Sequence, residues 1–260
     1  MKTRNTATLA LIAGAVLGKG SGVFPYTSIG SVRLGLAPVS AAAPPTAEQI
    51  MTEKIKDMTA TLHVTEVDRS ELKKIGGAFA TTYSIKKMGV SYKHPNKARF
   101  EGKFLGASIF MVYNGDVKYF RTPIKTDTRN VHGQPGQKQS LMDLGIFAKD
   151  YLTTDWMPNF VRQDGNLMVF KLTQRNSNNK SHEIVWVNPK ISLITKRMAY
   201  NGENVLQKKL LFTNPQQVRP GIWVPTRIEI YNTSDKLGAA QAIEDIKVNL
   251  GVSDDVFKTS

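Results

Sequence analysis

Along most of the chain apolar and polar residues alternate with a period of two, the spacing of a β-strand with one buried face. From Lys97 to Lys103, Ala98, Phe100 and Gly102 fall on one side, with Arg99, Glu101 and Lys103 on the other. Ile109–Tyr113 and Val117–Phe120 are short β-prone runs joined by Asn114-Gly115. That pair tolerates the positive φ of a type I′ turn, whose twist suits paired strands, so a hairpin is predicted here. His94-Pro95-Asn96 upstream predicts a corner, because proline gives no donor to a sheet ladder.

Around this meander, Thr46 reads as a helix N-cap with Gln49 three residues on, which predicts a helix over 46–58. Leu62, Val64 and Glu66 against Thr61, His63 and Thr65 predict a strand. Ser70–Gly77 reads as a polar turn, and Ala78–Met88 as a strand through Phe79, Thr81, Tyr83 and Ile85. Lys125–Ser140 is polar and holds glycine and proline, as a long loop would. In SLMDLGIFAKDYL, Ser140 can cap, and Leu141, Leu144, Ala148 and Tyr151/Leu152 fall at helical spacing. Met142, Ile146 and Phe147 widen that apolar arc, so a helix over 140–152 is either buried on two sides or waiting to be. Trp156, Met157, Pro158 and Phe160 extend the same apolar patch.

From Val161 the pattern is almost wholly β: Asn166–Thr173, His182–Val187, Ser192–Tyr200, Val205–Thr213, Ile222–Tyr231 and Ala242–Leu250. Asp164-Gly165, Asn201-Gly202, Asn188-Pro189-Lys190 and Pro220-Gly221 supply the corners. The expectation is a mainly β chain with helices (α+β). About eleven antiparallel strands curl toward a barrel or half-barrel, joined by short connections. Ile109–Val112, Leu167–Phe170 and Ile184–Val187 are apolar on both faces, whereas a sheet with one wet face should alternate. Two arrangements fit: an oily concave sheet with a helical lid and room for a guest, or a solidly packed β core plugged by helices.

The first 41 residues read as an export leader, with Lys2 and Arg4 ahead of the apolar run Ala7–Leu17 and small residues at Val39-Ser40-Ala41. The other reading is an uncleaved anchor made of Ala7–Leu17 plus Val23–Val39. The 260-residue chain carries a formal net charge of +14. Residues 1–41 hold four basic side chains and no acid, so the remainder keeps 31 basic and 21 acidic residues. The basic residues are scattered rather than striped, as on a solvated surface. An exported protein with that surplus meets anionic lipid or acidic partners more readily than nucleic acid. With no cysteine, disulfides, thiolate metal sites, cysteine nucleophiles and a lipid-modified N-terminus are excluded. His63, His94, His132 and His182 show no metal-ligand spacing, and no G-x-S-x-G elbow, P-loop or G-x-G-x-x-G occurs. No base is paired with a nucleophile, so no catalytic residue, metal or cofactor is expected.

The segment YKHPNKARFEG, followed by VYNGDVKYFRTP, resembles the K-x-P-N, aromatic strand and (V/I)-x-(D/N)-G-K pattern of the outer-membrane lipoprotein-sorting carriers, the LolA/LolB-like family. IVWVNPKISLITKRMAYNGENVL, GIWVPTRIEIYN and IEDIKVNLGVSDDVF are similar to its later strands. The resemblance extends over about residues 46–258. It implies an unclosed antiparallel β-barrel of about 11 strands with a helical lid, built from residues 42–260 as a single LolA-like domain. It further implies a soluble periplasmic carrier, monomeric and not an enzyme. Such a carrier takes acyl chains of lipoproteins, or a lipid, from an inner-membrane donor complex to an outer-membrane acceptor. On that reading Leu141, Met142, Leu144, Ile146 and Phe147 form a lid that fills the cavity when empty, and Phe100, Met111 and Trp186 line it. The family's carriers place an arginine before the Pro-Asn as a lid latch, where this chain has His94. Either the latch is weaker and pH-sensitive, or the guest differs, or His94 is simply a surface residue in a corner. A sensor of mislocalised lipoproteins with a protein partner, and an exported enzyme, are the rival classes.

Overall fold

The computed structural model describes residues 44–259 apart from 135–136, 151–153, 176–177 and 179. The expected leader and its cleavage point lie outside the described residues. Within them, thirteen strands form one antiparallel sheet. β1 (Asp57–Val67) is followed by β2 (Lys87–Lys93), β3 (Lys97–Phe104), β4 (Ala107–Asn114), β5 (Val117–Arg121) and β6 (Thr126–Asn130). β7 (Trp156–Asp164), β8 (Leu167–Gln174), β9 (His182–Asn188), β10 (Leu193–Tyr200), β11 (Leu206–Arg219), β12 (Ile222–Tyr231) and β13 (Leu237–Val248) complete the sheet. The first meander runs outward from the centre and the second runs from the far edge back to it. The spatial order is β6 through β1, then β13 through β7, so the first and last strands pair in the middle. β6 and β7 are unpaired edges, and the barrel is therefore unclosed.

Period-two alternation builds the strands as expected. Met58, Ala60, Leu62 and Val64 of β1 are buried, while Thr59, Thr61 and His63 between them are only half-buried. The two strands beyond the expected eleven are the edges. β6 is largely exposed, and β7 is exposed or half-buried after Trp156, so neither hides a face and neither carries an alternation signal.

The helical expectations need more correction. The helix expected over 46–58 is one turn, α1 (Ala47–Ile50), in which Gln49 Oε1 accepts from Thr46 N at 2.8 Å. It stops because Thr52 is drawn into extended pairing, its N–H donating to Phe147 O at 2.9 Å and its carbonyl accepting from Lys149 N at 3.0 Å. Ser70–Gly77 is mostly α2 (Arg69–Ile75), capped by the Asp68 carboxylate, which accepts from Ser70 N at 2.8 Å. The strand expected from Ala78 begins as α3 (Gly77–Thr82), and β2 starts only at Lys87.

Over 140–150 there is no α-helix. A single 3₁₀ turn, Leu141–Leu144, is capped by Ser140 and ended by Gly145 at φ +79°. Residues 146–148 are then extended, bridging Leu193 on one side and Thr52 on the other. Tyr151 and Leu152 fall outside the described residues.

One large apolar cluster joins Tyr92, Phe100 and Tyr113 of the first meander to Phe170, Val187 and Phe212 of the second. The two wings therefore curl around a shared interior. A smaller cluster on the same face, with Val64, Ile230 and Ala239, is covered by Leu72 and Tyr83 from the α2–α3 region. On the opposite face the turn Asp254–Phe257 packs against β3 and β4, with Phe257 1 % exposed. Among the described residues no helix is long and apolar enough to cross a membrane.

Candidate functional site

The concave face is filled unevenly. Over β8–β12 it is covered by the 140–148 segment, which acts as a plug. Leu141, Met142, Leu144, Ile146 and Phe147 are all buried, and the Phe147 ring stacks on Phe170 at 5.6 Å between centroids. Gly145 is required at its turn for two reasons. Its φ is +79°, and a Cβ would lie 2.5 Å from Phe212 Cδ1 and 2.8 Å from Pro225 Cγ.

The plug is anchored by charge at three points. Buried Arg197 on β10 donates from Nε to Glu183 Oε2 at 2.5 Å, from Nη2 to Glu183 Oε1 at 2.8 Å, and from Nη1 to Asp143 Oδ1 at 2.7 Å. Burial alone disfavours its charge, but the Glu183 and Asp143 carboxylates outweigh that and hold the guanidinium above its ordinary value. Lys138 reaches Asp116, at the β4–β5 turn, and Asp155, just before β7, each at 2.7 Å. Lys149 pairs with Glu53 at 2.5 Å.

Against the first meander, space remains. A cavity of about 400 Å³ lies between α3 and the inner face of β2–β6. Ile85 and Met88 line it with Phe100 and Gly102 of β3, Ile109, Phe110 and Met111 of β4, and Phe120 of β5. Thr81 and Thr82 of α3 form its roof. Gly102 is the close-approach point in this wall, since a Cβ there would meet Ile85 Cγ2 at 2.7 Å and Lys87 O at 2.9 Å. Phe100 meets Tyr113 edge-on at 6.3 Å, so the inner end of the wall continues into the packed core.

At the outer end the wall becomes charged. Register places Lys118 opposite Tyr113 and Phe120 opposite Met111, so both β5 side chains face inward. The next pairing sets Arg129 opposite Lys118 and Asp127 opposite Phe120, on the same face of edge strand β6. Lys118, Asp127 and Arg129 all line the cavity. Arg129 Nε pairs with Asp127 Oδ2 at 2.6 Å. Lys118 has only Gln137 Oε1 at 3.4 Å and the Tyr113 ring at 5.6 Å as close polar or π partners, with no ion pair among the described residues. Burial, and then repulsion from Arg129, push its ammonium below the ordinary lysine range, with Asp127 opposing.

Of the residues the sequence singles out, Phe100 and Met111 stand on the cavity wall. Leu141, Met142, Leu144, Ile146 and Phe147 come together, but beside the cavity, in the packed plug. Trp186 is elsewhere. It lies between Val185 and Val187, which point into the core, so it faces the convex side, donating from Nε1 to Asp164 Oδ2 at 2.9 Å beneath Lys196 Nζ. His94 sits at the β2–β3 corner, and its backbone N–H donates to Lys56 O at 2.8 Å. The plug's ion-pair anchors are Arg197, Lys138 and Lys149. Arg129 and Arg197 are absent from the sequence reading, and Lys118 enters it only within the VYNGDVKYFRTP motif, with no role at the cavity. Arg197 carried little signal, since Lys196 stands beside it and a bulge between Ile194 and Lys196 decides which of the two faces inward. Arg129 carried none, because β6 itself left no pattern.

A family model described as "Uncharacterized protein" matches residues 134–260, the plug and second meander. No curated protein matches the chain. Among solved structures, one described as an outer membrane lipoprotein-sorting protein domain from Vibrio parahaemolyticus is similar at a TM-score of 0.56 and 12% identity, over 82% of this chain and 93% of that one. A LolA superfamily protein from Nitrosomonas europaea is similar at a TM-score of 0.53 and 16% identity, over 82% of this chain and 94% of that one. Identity at this level speaks for architecture alone. With its open antiparallel sheet curled around an apolar interior, the chain has a LolA-like fold.

Proposed function

We propose that the protein is an exported carrier that holds an acyl chain of a lipoprotein, or a lipid, in the cavity under α3 and shuttles it through the periplasm toward the outer membrane. In this reading residues 1–41 are the leader and 42–260 the single lipid-binding domain. The domain acts as a monomer between an inner-membrane donor complex and an outer-membrane acceptor. Its action is transfer without bond making or breaking.

The observation that carries the reading is the unfilled apolar space. A pocket of about 400 Å³, partly open to solvent, stays unfilled between the apolar side chains of Met88, Phe100, Ile109, Met111 and Phe120. That volume lies within the range of small-molecule sites, roughly 300–1,000 Å³. The roof suits exchange, because a six-residue helix such as α3 is far below the length at which helices are stable alone. Its displacement opens the cavity while the plug stays anchored.

The test is titration with a neutral fluorescent probe of apolar sites, N-phenyl-1-naphthylamine. Saturable binding is expected, with affinity falling at least tenfold in Met111→Trp and in Ile109→Trp, which fill the wall. Protein purified from its host is also expected to carry a lipid mass by native mass spectrometry. Failure of the folded wild-type protein to bind the probe overturns the reading.

A further inference from the structure

We infer that the cavity's guest is a single-chain anionic amphiphile, whose tail lies against Phe100, Met111 and Phe120 and whose head group is held by Lys118 and Arg129. This rests on the acyl-binding reading and goes further, naming the head-group chemistry and the chain number. Three observations lead to it.

First, the two cations face the cavity. The β4–β5–β6 register places Lys118 and Arg129 as an opposed pair on the same side as Met111 and Phe120. A tail on the apolar wall therefore ends beside them. Second, the charge there is unbalanced. Asp127 engages Arg129 through Nε, and no other carboxylate pairs with Lys118 or Arg129 among the described residues. Two cations and one anion leave a surplus positive charge at the mouth of an apolar space. An ammonium held against apolar walls is disfavoured, and an incoming carboxylate or phosphate oxygen relieves that. A cationic head group would meet net repulsion, since Asp127 is already engaged by Arg129, and a neutral one would leave the ammonium without a counter-ion. Third, the size selects one tail. Taking about 30 Å³ for a methylene, the share a water molecule has in the liquid, 400 Å³ holds about a dozen carbons. That is one chain and not two.

Inward-facing charges on and beside an edge strand, as Arg129 on β6 and Lys118 on β5 are, have another use, which is to stop sheets from joining edge to edge. If that is all Lys118 and Arg129 do, they will not tell one head group from another.

The experiment displaces N-phenyl-1-naphthylamine with three twelve-carbon competitors: dodecanoate, dodecyl phosphate and dodecyltrimethylammonium. For wild type, at least one anion is expected to displace the probe at a concentration at least tenfold below the cation. Whichever of dodecanoate and dodecyl phosphate is preferred separates a fatty-acid source from a single-chain (lyso) phospholipid one. In Lys118→Met/Arg129→Met the anion-to-cation ratio is expected to fall to about one, and in Lys118→Arg to persist. Because the ratio is taken within each variant, changes in the cavity or in stability cancel. Across saturated carboxylates, affinity is expected to rise from eight to twelve carbons and then level. A wild-type ratio near one, or a ratio that survives the double substitution, overturns the head-group assignment while leaving the cavity reading intact. Affinity that climbs undiminished to eighteen carbons overturns the size assignment. If the probe itself does not bind, the acyl-binding reading fails first and this one with it.

Discussion

His94 and His182 sit in unlike places, one at the β2–β3 corner and the other buried on β9 against the Tyr200 ring at 5.0 Å. Both are pushed below the ordinary histidine range. For His94 the causes are burial and then Lys56, opposed by Glu53. For His182 they are burial and then Lys171, opposed by Glu183 and a backbone hydrogen bond with Lys180. A depressed folded value means that the unfolded chain takes up the proton first. Stability is then fully present above about pH 6.5 and is lost as pH falls from there toward the folded values. Urea midpoints are expected to drop between about pH 7 and 5, and His94→Gln/His182→Gln to flatten that part of the slope. An unchanged slope in the double variant would contradict this. Asp116 acts lower on the scale. Its hydrogen bonds to Lys138 and His132 hold the carboxyl below its usual range, so its contribution fades only as pH falls through about 4.

At the scale of elements, the plug decides what the 140–148 stretch can do. The expected lid fills the space when empty, so buried side chains fit a lid and a fixed plug alike, and the hold on the backbone and the cost of truncation separate the two. Here Phe147 is fully buried, and the backbone donates from Phe147 N to Ser192 O and accepts at Gly145 O from Ile194 N. Phe147→Ala is therefore expected to cost about 3–5 kcal/mol of folding stability, as for aromatic truncations in other cores, measured by urea unfolding. A loss below about 1 kcal/mol would mark a loosely held lid instead. The sequence showed the apolar content of this stretch plainly but not its conformation. Leu141, Leu144 and Ala148 sit at helical spacing because a 3₁₀ turn followed by an extended segment can bury the same residues as a helix. Thr52 and Ser192, both distant in sequence, choose between the two. The central strands were legible because each has a buried face, as the alternation of β1 and β3 shows. β6 and β7 were not, since edge strands lack one. With β6 went Arg129 and the charged end of the cavity, so only the greasy part of the site, Phe100 and Met111, could be read in advance.

For the molecule as a whole, the topology predicts a gradient of local stability. β1 and β13 are flanked on both sides and hold much of the core, whereas β6 and β7 are paired on one side only. Amide hydrogen exchange is expected to be slowest in β1 and β13, at the limit set by global unfolding, and fastest among the strands in β6, with α3 opening early as well. Uniform protection across the sheet would contradict this. The same centre has a consequence for how the fold is reached. Because β1 pairs with β13, the opening strand stays without its second neighbour until the final one has emerged from the ribosome or a translocation pore. Pairings so far apart in sequence form slowly. On the proposed export route that delay would keep the chain threadable, since its central seam stays open until β13 has followed β1 across.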